Sequence, residues 1–341
     1  MKGTLIILDH LADKEAAALM VDGILDDILI DSSDNPRPGA IFRAICDRPL
    51  KGQGGMMVRL PDGTGFLRQA KGLAPGQAIL VQVTGYAEPG KAVPVTSKLI
   101  FKSRFVIVTP GADGINVSRR IRDEEARVRL LEIAHATFDG PGGLILRSAA
   151  AGATEDELTE DIVAMSDLAA AILSDADGSE PEALTEGDGP HGLAWRDWTA
   201  PAQIVTEPSG FRDHGVLDAL EDLRSSRVPL AGGHMFIEPT RALVAVDVNT
   251  GADTSPAAGL KANLSAARAL PRALRLRGLG GQITVDFAPM SKAQRRQVES
   301  ALRAAFRADP IETALVGWTP LGHYELQRKR ERRPLDLPET L

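Results

Sequence analysis

Apolar and polar residues alternate with period two along many short runs of this chain and with period 3.6 along a few longer ones. Residues 2–9 (KGTLIILD) and 25–31 (LDDILID) read as two strands. Between them DKEAAALMV has helix-like composition and reads as a helix or a loosely paired turn. SSDNPRPGA at 32–40 is dense in turn residues and marks a boundary. From 40 to about 98 the runs AIFRAICD, GGMMVRL, GTGFL, AILVQVTGY and KAVPVTSK are separated by PDG, APGQ and EPGK turns. Strands at this spacing predict a small all-β barrel that interrupts whatever residues 1–35 begin.

LIFKSRFVIVTPG predicts a strand pair, and NVSRRIRDEEARVRLLEIA a basic turn that becomes a helix. GGLILRSAA is a strand ending at Arg147 and Ser148. Thr154 and Glu157 form a capping-box signal for the helix that follows. Residues 174–192 hold no large apolar residue except Leu184 and read as a loop or flexible linker. AQIVTE and HGVLDALEDLRSS give one strand and one helix.

The last third is the most regular. MFIEPTRALVAVDVNT predicts a strand pair, and LKANLSAARALPRALRLR a helix with Leu260, Leu264, Ala267, Leu270 and Leu274 on one face. Pro271 is expected to kink that helix and GLGG to end it. QITVDFAPM is a strand, SKAQRRQVESALRAAFRAD a helix opened by a Ser291–Gln294 capping box, and TALVGWT a strand. The order β-β-α-β-α-β argues an α/β sandwich.

A chain of 341 residues allows two or three domains. With 43% hydrophobic and 25% charged residues it reads as a soluble globular protein. No apolar run approaches the ~18 residues of a membrane span, and the N-terminal run reads as a strand rather than a leader. One cysteine, Cys46, excludes an internal disulfide and any cysteine zinc site within one chain. A cytoplasmic location is expected.

Charge is segregated along the chain. The net charge is −7, yet residues 151–190 contain twelve Asp or Glu and no Lys or Arg. Residues 261–333 contain fifteen Lys or Arg against six Asp or Glu. A basic C-terminal third of this kind can attract a polyanion despite the acidic total, with solvated helix faces as the alternative reading.

The candidate chemistry lies in that third. Asp247 and Asn249, two positions apart, share one face near the end of their strand. A second strand ends in Asp286, and the helix between has the length of a parallel crossover. If the strands are neighbours, two carboxylates and an amide emerge at one edge, where ligands of open α/β sheets bind. That donor set suits Mg²⁺, which takes one or two protein carboxylates and fills its other positions with water and phosphate oxygen. An Asp at a strand end also serves as a plain turn former, and spacing alone leaves both readings open. Walker, nucleophile-elbow and paired-histidine patterns are absent, and the histidines at 10, 135, 191, 214, 234 and 323 are scattered. The cluster Arg328, Lys329, Arg330 is a candidate for phosphate contacts near the metal, with a solvated helix end as the alternative.

Together, IEPTRALVAVDVNTG, NLSAARALPRALRLRGLGGQITVDFAPM and LGHYELQRKR resemble the ribonuclease E/G family of bacterial endoribonucleases. The likeness is densest from Gly233 to Arg330 and weaker back to residue 1. It implies an α+β multidomain fold: a split RNase H-like subdomain (1–35 and 189–231), an inserted OB-fold-like barrel (36–98), a 5′-sensor region (99–188) and a DNase I-like catalytic subdomain (232–341). It implies Mg²⁺ held by Asp247 and Asp286, with Asn249 assisting, and cleavage of single-stranded RNA to 5′-phosphate and 3′-hydroxyl products. GINVSRRI, which carries Arg119 and Arg120, and LILRSAA resemble segments that sense an RNA 5′ end. Arg147 and Ser148 stand where the family has an Arg-Thr pair. Phe66 and Lys91 match RNA-contacting positions of the family's barrel, while Met56 replaces a second aromatic. The family's Cys-Pro-x-Cys segment has no counterpart before Leu341, so a monomer, or an oligomer without a zinc link, is expected. The alternatives are an RNA-binding protein whose cleavage is lost, or a metal-dependent phosphodiesterase acting on another nucleic acid.

Overall fold

A computed structural model describes residues 3–31, 36–50, 52, 54–88, 90–255 and 257–339. The backbone divides into two compact units, one formed by residues 1–30 with 202–341 and the other by residues 31–201.

The chain opens with an antiparallel meander of β1 (Thr4–Leu11), β2 (Lys14–Val21) and β3 (Ile24–Ile30). The segment DKEAAALMV is therefore a central strand and not a helix. Its helical composition is worth only tenths of a kcal/mol per residue, and two ladders of backbone hydrogen bonds override it. The turn into β3 carries positive φ at both Asp22 (51°) and Gly23 (78°), the geometry of a two-residue hairpin. Ala16, Ala17 and Ala18 are fully buried, because small side chains suit a strand flanked on both sides.

The second unit begins with β4 (Ile41–Leu50), β5 (Gly55–Leu60), β6 (Gly63–Leu67), β7 (Ala78–Val83) and β8 (Val93–Thr96). They pair in the order β4-β5-β6-β8-β7, and β4 also pairs with β7, so the barrel is closed. Its interior holds Met56, Val58, Leu67, Val81, Val83 and Val95. Met56 is thus core, and the residue opposite Phe66 on the neighbouring strand is Met57.

Next come β9 (Phe101–Lys102), β10 (Val106–Thr109), β11 (Gly114–Val117), α1 (Glu124–Thr137) and β12 (Gly143–Leu146). The four strands make a sheet in the order β11-β12-β10-β9. After a 3₁₀ turn at Ser148–Gly152, α2 (Glu155–Ser174) starts with the reciprocal Thr154–Glu157 capping box. Leu130, Ile133, Leu158 and Ile162 bury the helices against Val106, Leu144 and Leu146. The stretch 174–192 is more ordered than its composition suggests. It contains β13 (Glu182–Thr185), which pairs with β4, and the start of α3 (Pro190–Asp197). Backbone pairing along an edge needs few apolar side chains, and Thr185 Oγ1 accepts from the Ile41 amide at 3.0 Å.

The first unit then resumes with β14 (Gln203–Val205), parallel to β1, and with α4 (Gly210–Asp213) and α5 (Val216–Asp222). The remaining elements are β15 (Arg227–Leu230), β16 (Gly233–Pro239), β17 (Val244–Asn249), α6 (Ala258–Leu276), β18 (Gly281–Asp286), α7 (Lys292–Ala308), β19 (Thr313–Trp318) and β20 (Tyr324–Arg328). The strands form one sheet in the order β15-β16-β17-β18-β20-β19. Val246, Ile283 and Val285 on one face pack against Ala267, Leu270 and Leu274 of α6 and Val298 and Leu302 of α7. Helix α6 continues as helix through Pro271, and α7 begins with the Ser291–Gln294 capping box.

A buried ion network fixes the far end of this sheet. Arg275 binds the Asp26 carboxylate at 3.0 Å and also pairs with Asp309. Asp309 accepts from Arg328 Nη2 at 2.8 Å, and Asp27 accepts from Arg332 at 3.0 Å. The GLGG run seats the C-terminal segment: Gly278 has φ +62°, and a Cβ there would lie 1.7 Å from the Arg333 carbonyl oxygen.

Candidate active site

The strand pattern decides which side chains face away from the helices. Along β17 Val244, Val246 and Val248 are buried while Ala245, Asp247 and Asn249 face the other way. Along β18 Ile283 and Val285 are buried while Gln282, Thr284 and Asp286 face outward. The strands are parallel and adjacent, with Asp247 the register partner of Asp286. Neighbouring strands lie about 4.8 Å apart, so two carboxylates stand side by side at the C-terminal ends of the pair.

Asn249 Nδ2 donates to Asp247 Oδ2 at 2.8 Å, which orients that carboxylate and leaves its other oxygen open. Asp286 has a side chain 63% exposed, and His323 Nε2 lies 3.9 Å from its Oδ1. The two carboxylates open on a cavity of about 270 Å³ that Phe236, Thr284 and His323 also line.

The loop after Asp286 is fixed from behind. Asn263 of α6 is fully buried, donates to the Ala288 carbonyl at 2.9 Å and accepts from the Ala288 amide at 3.0 Å. No role for Asn263 was apparent in the sequence, although an amide within an otherwise apolar helix face was the available signal. His323, which the sequence leaves open between an RNA contact beside the basic run and a structural residue, lies next to the carboxylate pair. Five positions before Arg328, it is carried beside Asp286 because β20 runs antiparallel to β18.

Could these residues hold a cation? Two exposed carboxylates, one steadied by an amide, match the sparse protein ligation of a hard divalent ion. Among the described residues no group of three or more His, Cys, Asp or Glu is arranged to hold a metal. An ion here would rest on Asp247 and Asp286 and keep most positions open for water and phosphate.

Other candidates lie elsewhere. Arg328 is 1% exposed and bound to Asp309 and Thr313, so the expectation that it meets RNA is corrected. It pairs with Gly281, five residues from Asp286 along β18, roughly 17 Å at the usual strand rise. Arg330 is exposed, but its guanidinium lies against Gly281 at that same far end, so the basic cluster does not sit beside the carboxylate pair.

In the second unit Arg147 donates to the Arg196 carbonyl at 3.0 Å and to Asp197 Oδ1 at 2.7 Å, so internal partners hold its guanidinium. Asp197 is shared with Lys102 and Arg196. Burial alone would raise its carboxyl, but the hydrogen bond and charge of Arg196, helped by Lys102, hold it well below the usual carboxylate range. Ser148, Arg119 and Arg120 are exposed. Phe66 is half-buried on the outer side of the barrel, its ring over Gly55. Lys91 is exposed and pairs with Glu88 at 2.8 Å.

The model of the "Ribonuclease E/G family" matches residues 101–206 and 196–331. The chain belongs to the ribonuclease E/G family. It is 28% identical over 305 residues to "Ribonuclease G" of Salmonella typhimurium, covering 76% of this chain and 61% of that protein. Identity to "Ribonuclease E" of Nostoc sp. is 30% over 300 residues, covering 76% of this chain and 44% of the relative. With "Ribonuclease E" of Synechocystis sp. it is 28% over 362 residues, covering 92% and 52% respectively. The matched part of the chain thus covers 44–61% of the length of these relatives. Among its described residues no helix is long and apolar enough to cross a membrane.

Proposed function

We propose that the chain is a Mg²⁺-dependent endoribonuclease that hydrolyses single-stranded RNA to 5′-phosphate and 3′-hydroxyl products. The observation that carries the reading is the register pairing of Asp247 with Asp286 at one strand end, beside an open cavity. Asp247 and Asp286 would hold the ion, and Asn249 keeps the Asp247 carboxylate turned in one direction. When bound, Mg²⁺ supplies an activated water and offsets charge on the phosphodiester. His323 offers a ring N–H within reach of the same space. Family membership supports RNA as the polymer, and the basic residues 261–333 favour a polyanion over a small nucleotide.

The subdomain reading belongs to the same proposal. The closed barrel is taken as the OB-fold-like element, with Phe66 and Lys91 as its RNA contacts. The sheet of β15 to β20 is taken as DNase I-like, and the β1–β3 meander with β14 as RNase H-like. At the 5′ sensor, Ser148, Arg119 and Arg120 are free to meet a phosphate, whereas Arg147 must first exchange Asp197 for it.

The test is cleavage of labelled single-stranded RNAs bearing 5′-monophosphate, triphosphate or hydroxyl ends, with Mg²⁺ or EDTA. Wild type is compared with Asp247→Asn and Asp286→Asn. Loss of cleavage in EDTA and in both variants, with unchanged circular dichroism, is expected. Wild-type rates in either variant would sink the metal reading, and indifference to the 5′ end would remove Arg147 and Ser148 from the site.

A further inference from the structure

One row of the outward sheet face crosses four strands through register partners. Arg227 on β15 pairs with Phe236 on β16, Phe236 with Asp247 on β17, and Asp247 with Asp286 on β18. Directly opposed residues point to the same face. Val228 and Leu230 pack on the core, which leaves Arg227 on the Phe236 side. The row therefore reads cation, aromatic, carboxylate, carboxylate, at steps of about 4.8 Å.

Phe236 is half-buried, and His234 braces its ring edge-on with centroids 5.2 Å apart. It lines the cavity of about 270 Å³ shared with the two carboxylates. An open cavity of that size has room for a flat base beside the carboxylates. The chain is poor in aromatics, at 4%, so a ring braced beside the carboxylate pair is a specific feature.

We infer that Phe236 stacks one unpaired nucleobase next to the scissile phosphate, while Arg227 takes the adjoining phosphate, so that RNA crosses the sheet at right angles to its strands. The inference rests on the ribonuclease reading above and adds a cause for single-strand preference. A base locked in a duplex cannot reach the Phe236 ring while its phosphate reaches Asp247 and Asp286.

The experiment uses the whole chain and a single-stranded RNA in which 2-aminopurine is moved one position at a time across the mapped cleavage site. In EDTA, with binding followed by anisotropy, wild type is expected to quench 2-aminopurine at one position adjoining the cleaved bond. Phe236→Leu keeps apolar bulk and should abolish that quenching, and Phe236→Tyr should retain it. With Mg²⁺, Phe236→Leu should lower kcat/KM by about tenfold or more, the usual scale for one base–aromatic contact, at an unchanged melting temperature. Arg227→Gln should weaken binding and flatten its salt dependence while the quenching persists. Quenching by Phe236→Leu equal to that of wild type overturns the inference. If wild type fails to cleave, the ribonuclease reading falls, and the positional scan in EDTA still decides whether Phe236 stacks a base.

Discussion

Asp247 and Asp286 are register partners across two parallel strands, although 39 positions separate them in sequence. Helix α6 spans the gap, and its length brings β18 beside β17 with the two strand ends level. Asn249 Nδ2 donates the side-chain hydrogen bond that holds the Asp247 carboxylate. Asn249→Ala is therefore expected to leave the fold intact and to free the carboxylate to rotate. Divalent-ion affinity, measured by titration calorimetry, and cleavage should each fall about 10–100-fold, as for other groups that orient a metal ligand. Wild-type affinity in that variant would show that the amide is not orienting the carboxylate.

The carboxylate pair was legible because it depends on local rules. Period-two alternation fixes the face, and a βαβ crossover fixes the neighbour, so Asp247, Asn249 and Asp286 could be picked out before their positions were known. The five barrel strands were legible for the same reason, each being bounded by its own Gly or Pro turn. Arg328 was not, since a basic run near the C-terminus reads as surface, and only the antiparallel return of β20 takes it under the sheet to Asp309. His323 and Arg328 lie five residues apart on that return, yet one reaches the candidate site and the other the far end. The helix or loosely paired turn expected at 13–21 is a strand, because its helix-like composition masked the Asp22-Gly23 turn signal that marks the hairpin.

Asp309 holds two buried guanidinium groups, those of Arg275 and Arg328. Asp309→Ala leaves both cations without this counter-charge and should destabilise the protein by about 3–5 kcal/mol. Urea denaturation is the check, with a lower midpoint at unchanged slope. The paired replacement Asp309→Ala with Arg328→Met should recover part of the loss, since one cation goes with its partner. No recovery would mean that the cost arises from cavity formation and not from unpaired charge.

Gly278 turns the chain out of α6 with a left-handed backbone directly under the C-terminal segment. A side chain there meets left-handed strain of about 1–2 kcal/mol and also the Arg333 carbonyl oxygen, 1.7 Å from the position a Cβ would take. Gly278→Ala should therefore displace residues 331–335, which the Leu335 amide to Arg277 carbonyl bond at 3.0 Å now anchors. Limited trypsin digestion should cut after Arg330 or Arg332 sooner in the variant than in wild type. Equal cutting would place the strain elsewhere.

Asp197 makes ion pairs with Lys102, Arg147 and Arg196. Burial acts to raise its pKa, and Arg196 with Lys102 outweighs burial and holds it well below the unfolded value, which is about 3.9. A depressed carboxylate pKa means that the unfolded chain binds the proton first as the pH falls. The stabilisation is then fully present above about pH 5 and is lost on acidification through pH 4 toward the folded value. Trp195 and Trp198 flank Asp197 in sequence, so with Trp318→Phe the tryptophan fluorescence reports this region. Denaturation followed by that signal should show stability falling from pH 5 to pH 3 in the Asp197-bearing protein. Asp197→Asn should be less stable at pH 7 and show a flatter acid dependence, because an amide has no proton to take up. The same slope in both proteins would assign the acid sensitivity to other carboxylates.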